Sequence, residues 1–204
     1  KNGGPDPTTN LSLRYTIDEA RYANMPRDTI ERAIKKGAGG ASTENFETVR
    51  YEGYGPGGVA IIVDALTDNR TRTAGDVRLA FSRAGGNLGA SGCVAYLFDH
   101  RGEIVVKGVG VTEDRMIEVA IEAGAVDVVS PEDPAEEDAV YVVMTEPTGF
   151  QAVKDAIERA KFVIQEAQFA MIPQTRVEVR GEAAKTNIEI VEELEELDDV
   201  QKVF

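Results

Sequence analysis

The sequence predicts an α+β protein with a helical amino-terminal unit, a middle α/β part and a ferredoxin-like βαββαβ segment. Three observations carry this prediction. Apolar residues recur at helical spacing up to the glycines near position 37. From Phe46 the pattern changes to strand, hairpin, strand and helix. Residues 102–174 then follow the order strand, helix, strand, strand, helix, strand, which is typical of the ferredoxin-like fold.

The first unit is predicted to contain two helices. Leu13, Ile17 and Ala20 recur at helical spacing, which indicates a helix from about Asn10 to Asn24. Pro26 opens a second helix that ends at the glycine-rich stretch 37–40. Two helices bury too little surface to be stable alone, so we expect them to complete a bundle with preceding sequence or to dock on a neighbouring domain.

The middle part begins with a glycine-rich stretch that has two interpretations. Gly53, Gly55 and Gly58 match the G-x-G-x-x-G spacing of a dinucleotide-binding loop. A phosphate loop is followed by a helix, whereas residues 59–63 read VAIIV, a buried-strand sequence. We therefore predict a β-hairpin turn here, with nucleotide binding by an enzyme as the weaker alternative.

The remaining elements are predicted from apolar periodicity and turn residues. Thr73 is the expected N-cap of a helix that ends near Gly85, and a strand is expected at 94–98. The βαββαβ elements are expected at 103–106, 113–123, 126–129, 139–144, 150–161 and 162–171. A last strand, helix and strand are expected at 175–179, around 187–197 and at 200–204, and they complete the middle sheet if residues 102–174 are an insertion.

The amino-acid composition excludes several kinds of site. The chain has 204 residues, 42% hydrophobic and 28% charged, which is typical of a soluble globular protein. One cysteine, Cys93, excludes an internal disulfide and a cysteine-based zinc site and fits a reducing cytoplasm, while a single histidine, His100, cannot build a metal site alone. We expect no membrane span, metal or cofactor.

The net charge of −14 argues against a protein that simply coats DNA. The acidity is concentrated in residues 102–204, which hold nine Lys/Arg against twenty-four Asp/Glu. Residues 1–45 hold seven against six, so a nucleic-acid face is expected on the first half. The basic residues proposed to contact phosphates there are Arg14, Arg21, Arg27, Arg32, Lys35 and Lys36. The alternative is intrahelical pairing, since Asp28 with Arg32 and Glu31 with Lys35 have ion-pair spacing.

A second candidate region is the polar stretch 67–73, which places Arg70 and Arg72 on an expected loop. Its alternative role is helix entry, in which the side-chain oxygens cap free backbone donors. Tyr54, expected within the glycine loop, is a candidate for stacking on an exposed base. The candidate functional-loop residues are Gly53, Gly55, Pro56, Gly57, Gly58, Asn69 and Asn87.

Acidic pairs such as Glu136 with Glu137 do not indicate catalysis, because they fall in polar connections or on the outer face of a helix. Ser91 lacks both a nucleophile-elbow pattern and a candidate base other than His100. We therefore predict no catalytic residues.

Five blocks of sequence carry a family resemblance over essentially the whole chain, in order: GGPDP at 3–7, ANMP at 23–26 followed by IERAIKKG at 30–37, YEGYGPGG at 51–58, ALTDNR at 65–70 and GNLG at 86–89. Together they resemble the YebC/PmpR family, which includes the mitochondrial translational activator of cytochrome c oxidase. Members usually begin with a basic segment that would precede Lys1.

The resemblance implies a three-domain protein that is not an enzyme, with domains at 1–45, at 46–101 plus 175–204, and an inserted ferredoxin-like domain at 102–174. It implies a cytoplasmic, DNA-binding transcriptional regulator, with a ribosome-associated translation factor that contacts ribosomal RNA or tRNA as the alternative. The expected partner is nucleic acid, with no membrane and no small-molecule substrate.

Overall fold

The computed structural model describes residues 4–38, 46–133, 136 and 138–204. Within them the chain forms six α-helices and two four-stranded sheets, which confirms the predicted α+β class. In chain order the elements are α1 (Leu11–Tyr22), α2 (Arg27–Ala38), β1 (Glu47–Gly55), β2 (Val59–Thr67), α3 (Arg70–Arg83), β3 (Asn87–Leu88), β4 (Phe98–Lys107), α4 (Glu113–Glu122), β5 (Asp127–Val129), β6 (Val140–Thr145), α5 (Phe150–Arg159), β7 (Ile164–Pro173), α6 (Glu182–Glu195) and β8 (Val200–Val203).

The chain divides into two compact units. The first combines residues 1–42 with 100–170, and the second combines residues 43–99 with 171–204. The two amino-terminal helices therefore cluster with the ferredoxin-like segment and not with the middle sheet.

The first unit is built around the sheet β5-β6-β4-β7, the strand order of a ferredoxin-like fold. Its core includes the fully buried Ile104, Tyr141 and Phe150. Helix α1 begins after Asn10, whose side chain accepts from the backbone N–H of Leu13, and packs on this unit through Tyr15. The Tyr15 ring makes edge contacts with Phe150 and Phe169, at centroid distances of 5.5 and 5.2 Å.

The second unit is built around the sheet β3-β1-β2-β8. Strand β8 pairs antiparallel with β2, so two parts of the chain that flank the ferredoxin-like segment share one sheet. Helices α3 and α6 cover one face and bury Phe81 and Leu194 against it. On the other face, Ile62 packs against Val94 and Met171.

The glycine-rich stretch forms the predicted β-hairpin. Gly55 pairs with Val59, and Pro56, Gly57 and Gly58 make the connection, with both connecting glycines at φ near +80°. A strand follows the turn directly, so the stretch lacks the helix that a dinucleotide loop requires.

Three predicted elements are wrong. Residues 95–97 form a 3-10 turn instead of a strand, because buried Glu52 takes the N–H groups of Val94 and Ala95. Residues 175–179 form no strand, since the position beside β2 belongs to β8 and Val177 is exposed. Helix α3 begins at Arg70, capped by Asn69, so Thr73 lies inside its first turn and is buried.

Candidate nucleic-acid interface

Helix α1 presents two of the predicted basic residues to one cleft. Arg14 and Arg21 both line a cleft of about 620 Å³ at the junction of α1 and α5. Their seven-residue spacing puts them on the same helix face, as the sequence indicates. Arg21 is largely exposed and pairs with Asp18 at 3.2 Å. Among the residues that the structure describes, Arg14 has no ion-pair partner within 4 Å.

The floor of this cleft holds a lysine that the sequence analysis missed. The side chain of Lys154 on α5 is only 5% exposed, and its Nζ lies 2.6 Å from Asp18 Oδ2. It also lies 5.6 Å from the centroid of the Tyr22 ring. Burial opposes the charge, but the hydrogen bond to Asp18 and the neighbouring acidic groups outweigh it and raise the pKa of Lys154. The site therefore keeps a permanent buried cation.

A second polar cleft adjoins the first. Its volume is about 610 Å³, and Arg21 and Tyr22 line both clefts. Lys107, at the end of β4, and Asn24 contribute further polar groups, with Asp138 as the acidic member. Basic residues thus line two adjoining clefts of the first unit, together with the carboxylates of Asp18, Glu158 and Asp138; these basic residues are Arg14, Arg21, Lys107 and Lys154.

Helix α2 carries the other predicted basic residues on its exposed surface. The predicted pairing partners are wrong: Arg27 pairs with Glu31 at 2.7 Å, and Arg32 donates to the carbonyl oxygen of Asp28, not to its carboxylate. Lys35 and Lys36 lie in the last turn, where a positive charge interacts favourably with the helix dipole. Neither lysine has an ion-pair partner within 4 Å in the described part of the chain.

Arg70 and Arg72 lie in the first turn of α3, not on a loop, because Asn69 caps the helix by accepting from the N–H of Arg72. The structure gives the two arginines different surroundings. Arg72 donates to Asp68 at 2.9 Å and to both carboxylate oxygens of Asp199, at 2.7 and 3.0 Å. The Arg70 side chain is exposed, and no described residue pairs with it.

Asp199 is the centre of this network. Its Oδ2 also accepts from the hydroxyls of Thr73 at 2.6 Å and Thr67 at 3.2 Å. The hydrogen bonds from Arg72 and Thr73 lower the pKa of Asp199 although its burial opposes this. Arg72 therefore joins α3 to the segment before β8, which is a structural role.

The glycine hairpin and the arginines are far apart. The hairpin precedes β2 and Arg70 follows it, so the nine residues of the strand separate them by roughly 25 Å. Gly53 and Gly55 lie within β1 and not in the connection. The Asn187 side chain donates to the carbonyl oxygen of Pro56 at 2.8 Å and ties the hairpin to α6.

Tyr54 and Asn87 lie together at the hairpin end of the sheet, since they are directly opposite in the pairing of β1 with β3. Tyr54 belongs to β1 instead of the loop, and its hydroxyl donates to the carbonyl oxygen of Cys93 at 3.0 Å. The Asn87 side chain is exposed, and no described residue hydrogen bonds to it.

Glu52 is the second residue that the sequence analysis missed. It is 3% exposed, and its carboxylate accepts from the backbone N–H groups of Gly92, Val94 and Ala95 at 2.7, 2.9 and 2.8 Å. Burial opposes ionisation, but these three donors prevail and lower the pKa of Glu52. The signal in the sequence is a carboxylate placed between Tyr51 and Gly53 in an expected strand.

The described residues contain no group of three His, Cys, Asp or Glu side chains placed to hold a metal ion. Cys93 is partly buried, which raises the pKa of its thiol, and His100 is exposed beside the Phe169 ring. None of the described helices is both long and apolar enough to cross a bilayer.

Two family models match the chain. Residues 1–40 match the amino-terminal domain of the TACO1/YebC protein, and residues 46–204 match the second and third domains of the same family. The chain belongs to the TACO1/YebC family.

TACO1/YebC relatives extend over the whole chain. A probable transcriptional regulatory protein of Shewanella oneidensis is 50% identical over 204 residues, which are all of this chain and 80% of the relative. A protein of the same description from Geobacillus sp. strain WCH70 is 48% identical over 206 residues, covering 81% of its length. The crystal structure of a conserved hypothetical protein from Aquifex aeolicus has a TM-score of 0.84 at 48% identity, over 99% of this chain and 81% of that one. The family to which the chain belongs thus includes proteins described as probable transcriptional regulatory proteins.

Proposed function

We propose that this protein is a cytoplasmic, non-enzymatic regulator of gene expression that binds duplex DNA through backbone phosphates. The observation that carries the proposal is the convergence of Arg14, Arg21 and Lys107 on adjoining clefts of the first unit, beside the buried ion pair of Lys154 with Asp18. Cations grouped in a cleft attract a phosphate backbone even when the protein as a whole is acidic. The description of the relatives as probable transcriptional regulatory proteins supports the same function.

The exposed cations of α2 add to the basic residues of the first unit. Arg27, Arg32, Lys35 and Lys36 lie on a helix of the same unit, and the described helical segment 4–38 holds six Lys/Arg against five Asp/Glu. The rest of the chain is acidic, which repels phosphates from other faces and directs them to this one.

The test is binding of fluorescein-labelled duplex DNA over a range of salt concentrations. The double substitution Arg14→Ala/Arg21→Ala should weaken binding and reduce the slope of log affinity against log salt by about 2, one per phosphate contact. The matched control is Arg176→Ala/Arg180→Ala, which removes two exposed arginines of the second unit. Equal slopes for the cleft variant and the parent protein would contradict the proposal.

A ribosome-associated translation factor is the second candidate, in which the same cations contact ribosomal RNA or tRNA. One observation favours it: Tyr96 is 67% exposed at the hairpin end of the second unit. An exposed aromatic ring suits unpaired bases, which structured RNA offers and an intact duplex does not.

Sedimentation of a lysate through a sucrose gradient separates the two candidates. Comigration with ribosomes that the Arg14→Ala/Arg21→Ala variant loses would support the translation factor. Absence from ribosomal fractions, together with preference for particular duplex sequences over competitor DNA, would support the transcriptional regulator.

A further inference from the structure

We propose that Tyr96 and Asn87 form a platform for a single unpaired nucleobase, with the Tyr96 ring stacking on the base and the Asn87 amide hydrogen bonding to its edge. This inference deepens the second candidate function, because it names the part of the nucleic acid that the second unit contacts.

Both residues border the same side chain, Tyr54. Asn87 is the cross-strand partner of Tyr54, and directly opposite residues of an antiparallel pair point to the same face of the sheet. The Tyr54 hydroxyl donates to the carbonyl oxygen of Cys93, three residues before Tyr96, at 3.0 Å, and the nearby Tyr96 phenol raises the pKa of Tyr54. Tyr54 itself packs against Ile62 and Val94, so it supports the platform from below.

The segment that carries Tyr96 is held rigidly. The buried carboxylate of Glu52 accepts three backbone N–H groups from residues 92–95, directly before Tyr96. The Glu52 carbonyl oxygen accepts from the N–H of Gly89 at 2.8 Å, and the Tyr54 hydroxyl holds the carbonyl of Cys93. An aromatic ring on an ordered segment loses little conformational entropy when a base stacks on it.

The groups at the surface suit a base. The Tyr96 ring is 67% exposed although the chain around it is ordered, and the exposed Asn87 amide has no hydrogen-bond partner among the described residues. A primary amide presents one acceptor and two donors, which matches the Watson–Crick or Hoogsteen edge of a base. The preceding residues Ala90, Ser91 and Gly92 are small and exposed, and leave room beside the ring.

Charge is favourable as well. Residues 84–98 contain no Asp, Glu, Lys or Arg, in a chain whose net charge is −14. The Glu52 carboxylate beneath this segment is buried and accepts three backbone N–H groups, and the segment itself presents no charged side chain to an approaching base. A duplex cannot use the platform, because its bases are already stacked and paired.

The experiment uses the full chain and three fluorescent probes: an RNA stem-loop with 2-aminopurine in the loop, a single-stranded DNA of the same loop sequence, and a blunt DNA duplex. Stacking on Tyr96 should quench 2-aminopurine in the first two probes. Tyr96→Ala should weaken binding to them about tenfold, Asn87→Ala should weaken it less, and Tyr96→Phe should restore the affinity. A larger loss for RNA than for DNA would identify RNA as the source of the base.

The matched control is Leu79→Ala, which removes a 48% exposed side chain from α3, on the other face of the sheet. Because Tyr96 is exposed, its variants should melt at the parent temperature. Unchanged affinity of Tyr96→Ala for both unpaired probes, or an equal loss for the duplex, would overturn the platform. The Arg14→Ala/Arg21→Ala variant should lose affinity for all three probes. This variant therefore tests the proposed phosphate contacts independently of the base platform.

Discussion

Lys154 Nζ lies 2.6 Å from Asp18 Oδ2, and this ion pair joins α5 of the ferredoxin-like fold to the amino-terminal helix α1. The two side chains are 5% and 15% exposed, so neither charge can regain full hydration if its partner is removed. The pair therefore fixes the helix that presents Arg14 and Arg21.

Removing one member of this pair should destabilise the first unit. We expect Lys154→Met or Asp18→Asn to lower the free energy of unfolding by about 3 kcal/mol, because each leaves a buried group without its partner. The double variant should cost less than the sum of the two. Urea unfolding measures the free energy of unfolding of the two single variants and of the double variant. The exposed pair Arg27 and Glu31 is the control, where Arg27→Met should leave the stability nearly unchanged.

Substitutions of Arg70 and Arg72 should distinguish an effect on nucleic-acid binding from an effect on protein stability. Arg72→Ala breaks the contacts with Asp68 and Asp199 and should lower the melting temperature. Arg70→Ala should leave the melting temperature unchanged, because its guanidinium has no partner in the described structure. If Arg70 contacts nucleic acid, only its variant should weaken binding at constant stability. A destabilised Arg70→Ala variant would contradict these assignments.

Glu52→Gln should destabilise the second unit in a pH-dependent manner. The pKa of Glu52 is lower in the folded chain than the ordinary value of a glutamate, which applies to the unfolded chain. Its contribution is therefore complete above the unfolded value and is lost as the pH falls through the folded value. We expect the parent to exceed the variant by about 1.5–3 kcal/mol at pH 7, and this difference to shrink under acid conditions.

Urea midpoints at pH 7 and pH 3 test the role of Glu52. Glu47→Gln, at an exposed position of the same strand, is the control and should show a small difference at both values. A difference between parent and Glu52→Gln that stayed constant with pH would show that the charge of Glu52 is not what holds residues 92–95.

Gly55→Ala should destabilise the hairpin. A Cβ atom at position 55 would collide with Asn187 Oδ1, whose amide also holds the Pro56 carbonyl. Overpacking of this kind costs about 1–3 kcal/mol. Gly75 lies in α3, and an added Cβ there would meet no atom within 4 Å. Gly75→Ala should therefore stabilise the protein by about 0.5–1 kcal/mol, because alanine favours a helix over glycine. Thermal melting compares the two variants.

Local signals predicted much of the fold. The spacing of Leu13 and Ile17 gave α1, Pro56 with Gly57 and Gly58 gave the hairpin, and the alternation of buried residues gave the βαββαβ order. These features depend on neighbours a few residues away, which a sequence displays directly.

The contacts that the sequence did not predict join distant positions. Arg72 meets Asp199 across 127 residues, and Lys154 meets Asp18 across 136. The local pattern predicts Thr73 as the cap, but Asn69 caps the helix, while Asp199 accepts a hydrogen bond from the Thr73 hydroxyl. For the same reason the sequence does not distinguish Arg70 from Arg72, and it does not single out Tyr96, whose exposure only the folded chain shows.

Strand β8 has a consequence for how the protein is made. Strand β2 gains its second neighbour only when β8 has been synthesised, roughly 130 residues later in the chain. At 5–20 residues per second, β2 therefore lacks this neighbour for on the order of ten seconds while the chain is on the ribosome. The ferredoxin-like segment can already fold during that time. An unpaired apolar edge is a site of aggregation. Shielding of β2 in the nascent chain is thus a requirement that the strand order β3-β1-β2-β8 imposes on every round of translation.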